Sequence, residues 1–365
     1  MTKVLHVITG LASGGAERQL ATLLPHLPED CEVVCLTEGG LVGERIRAEG
    51  FRVHDLRMPS NRDVASLMAL VRLIRDGGFD VVHTHLYRAH LYGRLAARMA
   101  GVRAIVATEH SLGRTKIEGK PKDLLGVRAL YRASERMGRV TIAVSQTVAD
   151  YLRAWRIDRV EVIENGIDAR EFRFDAEART LVRKMLGLDA EAFVIGGVGR
   201  LDPDKHFEVL IQAVSRIAGA ILLLVGAGPD RARLQRMAAD LLPGRAHFAG
   251  DVGGGVLEIR DLLSAMDVFA SPSPSETFGL APLEAVACGL PAVYADSPAL
   301  DGLSGLGARA ARVPSRPDAF ALAIRDAARL RPVDRSAPPG TLERYGVAEQ
   351  AAHISDLYRE VLLAQ

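Results

Sequence analysis

Two glutamates in the stretch SETFGLAPLEA, Glu276 and Glu284, are spaced eight residues apart with a glycine and a proline between them. Glu276 falls in a loop after the strand-like run DVFASP, and Glu284 lies within about two turns of a predicted helix start, at roughly 1.5 Å per residue. A carboxylate accepts two hydroxyls, which suits a sugar or a ribose diol. Amides 278–281 at the helix start suit a phosphate. Two ordinary acids near a helix N-terminus are the alternative interpretation.

A second pair of candidates lies in GVGRLDPDKHFEVL, where Arg200 and Lys205 follow a predicted strand and precede a predicted helix. Two cations five residues apart on such a loop suit a diphosphate, because arginine binds it bidentately and lysine acts as a point charge. The embedded DPD at 202–204 resembles a metal-binding Asp-x-Asp motif. Its position in a turn before a helix favours a capping role for these aspartates.

Gly14-Gly15 opens a predicted helix directly after the first predicted strand. Bare amides and the positive end of the helix dipole favour an anion or a sugar hydroxyl there. The spacing differs from the G-x-G-x-x-G dinucleotide motif, so a plain structural turn stays open as the alternative.

Histidines cluster near the ends of predicted strands in HTHLYRAH and TEHS. His110, just past a strand, can donate to a sugar hydroxyl or accept a proton, and a structural role is the alternative. Side chains alternate along a strand, so we expect His83 and His85 to point to opposite faces, which disfavours a shared zinc ion. No metal site is predicted.

The composition indicates an ordinary globular protein. The chain has 365 residues, 48% hydrophobic and 25% charged, with a net charge of +1. Its length predicts two domains, and its charge gives no reason to expect a nucleic acid partner. Three cysteines are too few for a disulfide framework, the N-terminus starts a strand without a signal peptide, and no apolar run reaches about 20 residues. We therefore expect a cytoplasmic location.

Short apolar runs alternate with amphipathic helical patterns along the chain, which predicts doubly wound parallel sheets. The pattern pauses at NGIDAREFRFDAEA (165–178). We expect an acceptor-binding domain at 1–168, a donor-binding domain at 169–345, and a C-terminal helix at 346–365 that packs back on the first domain. Both domains would be Rossmann-like, and they would face a central cleft lined by the carboxyl ends of the strands. The predicted strands are 4–9, 32–37, 52–56, 80–85, 103–110, 140–145, 160–165, 192–201, 220–229, 245–252, 267–272 and 290–296.

These motifs, in order along nearly the whole chain, resemble the retaining glycosyltransferase family 4, which has the GT-B fold and a Glu-x7-Glu motif. They are GGAER, DVVHTH, TEHS, VIENGID, GRLDPDK, VGAGP and SPSETFGLAPLEAVACGLP. The resemblance implies a hexosyltransferase that uses a nucleotide-diphosphate sugar, a UDP-sugar before a GDP-sugar. The acceptor would be a hydroxyl of a glycan, a glycolipid or a small molecule, and neither a metal nor a cofactor is expected.

The resemblance also implies a role for each candidate residue. Arg200 and Lys205 would neutralise the donor diphosphate, and Glu276 would hold hydroxyls of the donor sugar. His110 matches the family histidine near the reaction centre. Glu284 would hold the ribose, and the base would lie by the backbone of 248–252. The implied donor-binding residues are Gly14, Gly15, Phe248, Val252, Thr277, Phe278, Gly279, Leu280 and Glu284.

The implied mechanism stabilises a departing diphosphate beside an oxocarbenium-like sugar. Front-face attack is the family's explanation of retention, and a short-lived covalent adduct stays open. The chain departs from the family pattern at His206 and Thr277, where relatives often have glycine, and in YADSPALDGLSG (294–305), where contacts are not transferred.

The segment 113–139 has eight Lys or Arg against three acids, a balance of +5. We expect a basic helix that could rest on anionic lipid at the inner face of the cell membrane or bind an acidic acceptor, with a solvated helix face as the alternative. Two other functions stay open, a GT-B sugar-nucleotide epimerase and a non-catalytic nucleotide-sugar-binding protein. The intact cations and glutamates of the donor site disfavour the latter.

Overall fold

The computed structural model describes residues 1–12, 14–60, 63–110, 116–117, 120–121, 125–168, 170–250, 257–330, 335–338 and 340–364. The chain divides into two compact units. The first is Met1–Gly166 with Val347–Gln365, and the second is Ile167–Gly346.

A seven-stranded sheet forms the centre of the first unit, and all of its strands are parallel. The strand order is β3-β2-β1-β4-β5-β8-β9, so the direction of progression reverses between β1 and β4. The strands of this unit are β1 (Lys3–Ile8), β2 (Asp30–Cys35), β3 (Arg52–Asp55), β4 (Val81–His85), β5 (Ala104–Glu109), β6 (Lys116–Ile117), β7 (Lys120–Pro121), β8 (Val140–Ala143) and β9 (Val160–Val162).

Helices cover both faces of this sheet, and the strands are apolar on both faces for that reason. In β1, Val4 and Ile8 belong to one core, whereas Leu5 and Val7 belong to a core on the other face. The helices that follow the strands are α1 (Gly15–Leu23), α2 (Gly40–Ala48), α3 (Val64–Gly77), α4 (Tyr87–Ala100), α5 (Leu125–Glu135) and α6 (Gln146–Ala154).

The second unit repeats the design with a six-stranded parallel sheet. Its order is β12-β11-β10-β13-β14-β15, so the reversal falls between β10 and β13. The strands are β10 (Val194–Val198), β11 (Ile221–Val225), β12 (Ala246–Gly250), β13 (Val268–Ser271), β14 (Ala292–Tyr294) and β15 (Ala310–Arg312). The helices are α7 (Ala176–Met185), α8 (Phe207–Ser215), α9 (Arg231–Leu241), α10 (Ile259–Ala265), α11 (Leu280–Ala287), α12 (Pro298–Asp301), α13 (Pro317–Ala328) and α14 (Thr341–Arg344).

The last helix, α15 (Val347–Leu363), belongs to the first unit. It places Ile354 and Tyr358 in the core that also contains Val4. The Gln350 side-chain oxygen accepts hydrogen bonds from the backbone N–H of Gly166 and from the Gln19 amide, at 2.9 Å each.

The prediction of one basic helix over 113–139 is wrong in its first part. Lys116–Ile117 pairs antiparallel with Lys120–Pro121, and the helix begins only at Leu125. Residues that pair as strands, with a proline at 121, are incompatible with one helix through them. Within the described ranges, no helix is both long enough and apolar enough to cross a membrane.

Candidate active site

The loop between β10 and α8 carries the two predicted cations. Asp202 caps a 3₁₀ turn, Pro203–Lys205, by accepting a hydrogen bond from the Asp204 N–H at 3.1 Å, which confirms the capping interpretation of DPD. Burial raises the pKa of Asp202, while Lys205 and Arg200 act in the opposite direction. The Arg200 side chain is 73% exposed, so it is accessible to a charged ligand.

The loop between β13 and α11 carries the Glu276 end of the predicted pair. Helix α11 starts at Leu280, with Gly279 as its N-cap, as the sequence predicts. Gly279 has φ of 91°, a conformation that glycine adopts without strain. A Cβ at this position would lie 2.3 Å from Ser297 Oγ, so the close approach of the next loop also requires glycine.

These two loops meet at Lys205 and Glu276. Lys205 Nζ donates to Glu276 Oε1 at 2.5 Å, and the two side chains are 30% and 13% exposed. The contact lies beyond the carboxyl ends of β10 and β13, the two strands between which the sheet order reverses. Ligands of open α/β sheets bind at such reversal points.

Asp296, which is not among the residues predicted from the sequence, supports this arrangement. Its Oδ2 accepts the backbone N–H of Glu276 at 2.8 Å, and its Oδ1 accepts from Arg312 Nη2 at 3.0 Å. Asp296 lies two residues after β14, in the atypical segment 294–305. An acid just past a parallel strand was the available signal for this residue.

The other donor-binding candidates of the second unit are distributed between α11 and β12. Phe278 is 2% exposed and packs edge-on against Tyr345, so its backbone rather than its ring is available to a ligand. Thr277 precedes it, and Leu280 and Glu284 are partly buried in α11. Phe248 lies in β12, where its carbonyl accepts from Arg231 Nη2 at 3.3 Å. Val252 lies outside the described residues.

His206 has an unfavourable backbone conformation in this loop. Its φ is 52°, in the left-handed region that glycine adopts most readily. Its ring lies 3.3 Å from Ser315 Oγ through Nδ1.

In the first unit, α1 begins at Gly15 with Gly14 as its N-cap, as predicted. A Cβ on Gly14 would lie 2.3 Å from Glu17 Oε2, so the carboxylate of the helix's own first turn covers this N-terminus. An acid there interacts favourably with the helix dipole. An anionic ligand would therefore have to displace Glu17.

The expectation that His83 and His85 point to opposite faces is wrong. Alternate residues of a strand share a face, and the intervening Thr84 points away, towards His90 of α4. The His83 and His85 rings stack with centroids 4.3 Å apart. His6 of β1 joins them, and one ligand atom from each of the three lies within 4.8 Å of the others.

His110 extends this histidine cluster at the end of β5. Its Nε2 lies 3.1 Å from His85 Nδ1, and its side chain is 9% exposed. Burial lowers the pKa of His110 to about 4, so the ring is neutral at pH 7. A neutral imidazole can act as a donor or as an acceptor.

A cavity of about 760 Å³ lies in the first unit beyond the carboxyl ends of β2 and β3. Arg47, Arg57 and Arg88 line it together with three acids. Arg47 Nη2 and Asp55 Oδ2 pair at 2.7 Å across part of the wall. Mixed charges of this kind suit a polar, hydroxyl-rich ligand.

Two Rossmann-like units with parallel sheets of this order define the GT-B class of glycosyltransferases. HepE from Anabaena, crystallised in complex with UDP, matches with a TM-score of 0.81 at 20% identity over 98% of this chain and 100% of that chain. That likeness shows the fold.

Sequence comparisons identify the family. Residues 13–171 match the family Glycosyltransferase Family 4, and residues 192–329 match Glycosyl transferases group 1. An Escherichia coli UDP-Gal:alpha-D-GlcNAc-diphosphoundecaprenol alpha-1,3-galactosyltransferase is 27% identical over 80% of this chain and 79% of its own length. A GDP-mannose-dependent alpha-mannosyltransferase of Mycobacterium tuberculosis is 33% identical over 68% of this chain and 65% of its own length. The chain belongs to glycosyltransferase family 4 and is a glycosyltransferase.

Proposed function

We propose that this glycosyltransferase is a retaining enzyme that transfers a hexose from a nucleotide-diphosphate sugar, a UDP-sugar in the first place and a GDP-sugar in the second. The acceptor is a hydroxyl of a glycan, a lipid-linked sugar or a small molecule. The observation that carries the proposal is the contact of Lys205 with Glu276 at the reversal point of the second sheet. The names of the two curated relatives include one UDP-sugar and one GDP-sugar donor.

The donor diphosphate lies against Lys205 and Arg200 in this proposal. Both cations follow β10, and Arg200 is exposed enough to turn towards a ligand. The first-turn amides of α11 lack intrahelical acceptors and add hydrogen bonds to the phosphates. These groups stabilise the charge that grows on the departing diphosphate.

Glu276 orients hydroxyls of the donor sugar, and Glu284 holds the ribose. Glu276 is well suited to this role because its backbone is fixed by Asp296 and its carboxylate by Lys205. Such a site needs no metal ion, since the side chains themselves supply the positive charge. Transfer that stops on addition of a chelator would contradict this part of the proposal.

The cavity of the first unit is our candidate for the acceptor subsite. Its three arginines and three acids can hydrogen-bond a sugar or a phosphate-bearing acceptor. Arg57→Ala should raise the acceptor KM and leave the donor KM unchanged. Contact of the 113–139 segment with anionic lipid remains a prediction, to be checked by vesicle sedimentation at low salt.

The proposal is tested by incubating the full chain with a panel of nucleotide sugars and acceptors, and by measuring nucleoside diphosphate release and the anomeric configuration of the product. Arg200→Ala should lower kcat/KM by about tenfold to a hundredfold, the worth of a charge-assisted hydrogen bond. Arg329→Ala is the matched control, because Arg329 is also exposed in the second unit, at 80%, and also pairs with a nearby aspartate. It lies at the end of α13, outside the loop that follows β10.

Three outcomes would contradict the proposal. Inversion of the donor sugar at a ring carbon without an acceptor would indicate an epimerase. Donor binding without nucleoside diphosphate release would indicate a binding protein. A product of inverted anomeric configuration would exclude the retaining mechanism.

A further inference from the structure

Three imidazoles of the first unit form a continuous hydrogen-bonded chain. His6 Nδ1 lies 3.0 Å from His85 Nε2, and His85 Nδ1 lies 3.1 Å from His110 Nε2. Exposure rises along the chain, from 0% at His6 to 2% at His85 and 9% at His110. The chain therefore runs from the interior of the unit to the residue that follows β5.

All three rings are neutral at pH 7. Burial lowers the pKa of His6 to about 3 and that of His110 to about 4, and it holds the pKa of His85 well below its ordinary value. A neutral imidazole has one N–H and one lone pair. His85 can therefore donate to only one of its two neighbours and must accept from the other. The donors are either His6 and His85, or His110 and His85.

The surroundings of His6 decide which of the two arrangements is favoured. His6 Nε2 is buried and has no hydrogen-bond partner among the described residues. If the N–H groups donate inward, from His110 to His85 and from His85 to His6, then His6 Nε2 has an unpaired N–H. If they donate outward, from His6 to His85 and from His85 to His110, then His6 Nε2 has only an unpaired lone pair. Buried N–H groups without a partner are rarer than under-satisfied acceptors. The outward direction is favoured.

We propose that His85, with His6 behind it, is a positioning residue that holds His110 as the tautomer with its proton on Nδ1. This inference rests on the proposed function and on the role near the reaction centre that the family resemblance implies for His110. His85 donates its Nδ1–H to His110 Nε2, so His110 presents an N–H to a ligand at its other nitrogen. His110 then acts as a hydrogen-bond donor to a sugar oxygen, and it does not act as a general base.

A metal ion is the other use that this cluster could have, since atoms of His6, His83 and His85 lie within 4.8 Å of one another. The observed hydrogen bonds favour the imidazole-to-imidazole hydrogen bonds over a metal site. His83 uses Nδ1 for Tyr358 at 2.6 Å and Nε2 for Thr108 at 2.7 Å. Both nitrogens of His85 are also engaged, so a metal ion would have to break several of these bonds.

The tautomer is measured directly by ¹⁵N NMR on the full chain with ¹⁵N-labelled histidine rings. We expect His110 to show a protonated Nδ1 and an unprotonated Nε2, assigned with a His110→Asn variant that lacks its signals. His85→Phe should remove the selection, so that His110 shows mixed tautomers and kcat/KM falls on the order of tenfold to a hundredfold, because the ring is misplaced.

Two further variants separate positioning from general stability. His85→Asn keeps an N–H donor near the original Nδ1 position, so it should retain the His110 tautomer and restore most of the rate. His83→Phe is the matched control, because His83 is equally buried and stacks on His85 but makes no hydrogen bond to His110. It should leave the ring signals of His110 unchanged.

Several results would overturn the inference. One is a proton on Nε2 of His110 in the unaltered protein, and another is that the His110 signals do not change in His85→Phe. A third is a stoichiometric metal ion in the purified protein that shifts the signals of His6, His83 and His85. The NMR readout requires no turnover. A chain with the expected tautomer but no transfer would therefore refute the proposed function and leave the positioning role of His85 standing.

Discussion

Lys205 Nζ lies 2.5 Å from Glu276 Oε1, which joins the loop after β10 to the loop after β13. The two residues are 71 positions apart in the chain. Each neutralises the other while no ligand is bound, so a negatively charged donor would compete with Glu276 for the lysine. The two side chains therefore respond to a donor as one unit.

The Lys205–Glu276 contact predicts that their effects on transfer are coupled. Lys205→Ala leaves an unpaired carboxylate where we propose that the diphosphate binds, so it should lower kcat/KM more than the loss of one cation alone would. The loss of transition-state stabilisation in the Lys205→Ala/Glu276→Ala double variant should therefore be smaller than the sum of the two single losses, by about 0.5–3 kcal/mol. The measurement is kcat/KM for the four proteins of this cycle. Additive losses would show that the contact has no role in donor binding.

Asp296 should affect catalysis through the backbone of Glu276. Asp296→Ala removes the acceptor of the Glu276 N–H and should lower kcat/KM by about tenfold, with a small change in stability. Asp301→Ala is the matched control. Asp301 also accepts a hydrogen bond from Arg312, and it accepts a second one from the Tyr294 hydroxyl. Neither of these bonds involves Glu276. Equal losses in both variants would assign the effect to Arg312 instead.

Gly279 should tolerate substitution less well than a glycine of similar conformation. Gly279 and Gly305 have φ of 91° and 81°, so alanine at either position costs roughly 1–2 kcal/mol. Only Gly279→Ala also brings a Cβ within 2.3 Å of Ser297 Oγ, whereas the space around Gly305 is open. Hydrogen exchange of the second unit should show the greater loss for Gly279→Ala. Comparable losses of protection in the two variants would mean that the loop containing Ser297 moves to accommodate the added Cβ at little cost.

The buried histidines predict acid lability of the first unit. The folded-state pKa values of His6 and His110 are lowered to about 3 and 4, and those of His83 and His85 lie well below 6.5. The unfolded chain therefore binds more protons below pH 6.5, and stability is lost as the pH falls from 6.5 towards 4. The loss at pH 5.5 should be about 1 kcal/mol per histidine.

Trp155 is buried in the first unit and is the single tryptophan of the chain, so its fluorescence in urea reports on this unit. His83→Phe should reduce the pH dependence by about one proton. A stability that does not change between pH 7 and pH 5.5 would rule out four neutral buried rings.

Most of the fold could be predicted from the sequence because most strands are short apolar runs between helical patterns. β15 was missed because Ala310–Arg312 has three residues and no branched apolar side chain to mark it. The antiparallel pairing of Lys116–Ile117 with Lys120–Pro121 was not predicted, because clustered basic residues resemble a helix face in composition. Both errors concern segments in which tertiary context outweighs local preference.

The site could be predicted only in part. The positions of Arg200 and Lys205 in the loop after β10, and of Gly279 as the N-cap of α11, follow from local patterns. The contact of Lys205 with Glu276 depends on which strands are neighbours, and local patterns do not contain that information. The error about His83 and His85 was one of strand geometry, since residues two apart share a face.

Calorimetric titration of the full chain with nucleotide sugars decides whether the second unit holds the donor through Lys205 and Glu276, as we propose. We predict saturable binding of one UDP-sugar or GDP-sugar per chain, weakened at least about tenfold by Lys205→Ala. Arg329→Ala should bind as the unaltered chain does. No saturable binding of any nucleotide sugar, or equal affinity in Lys205→Ala, would contradict the account.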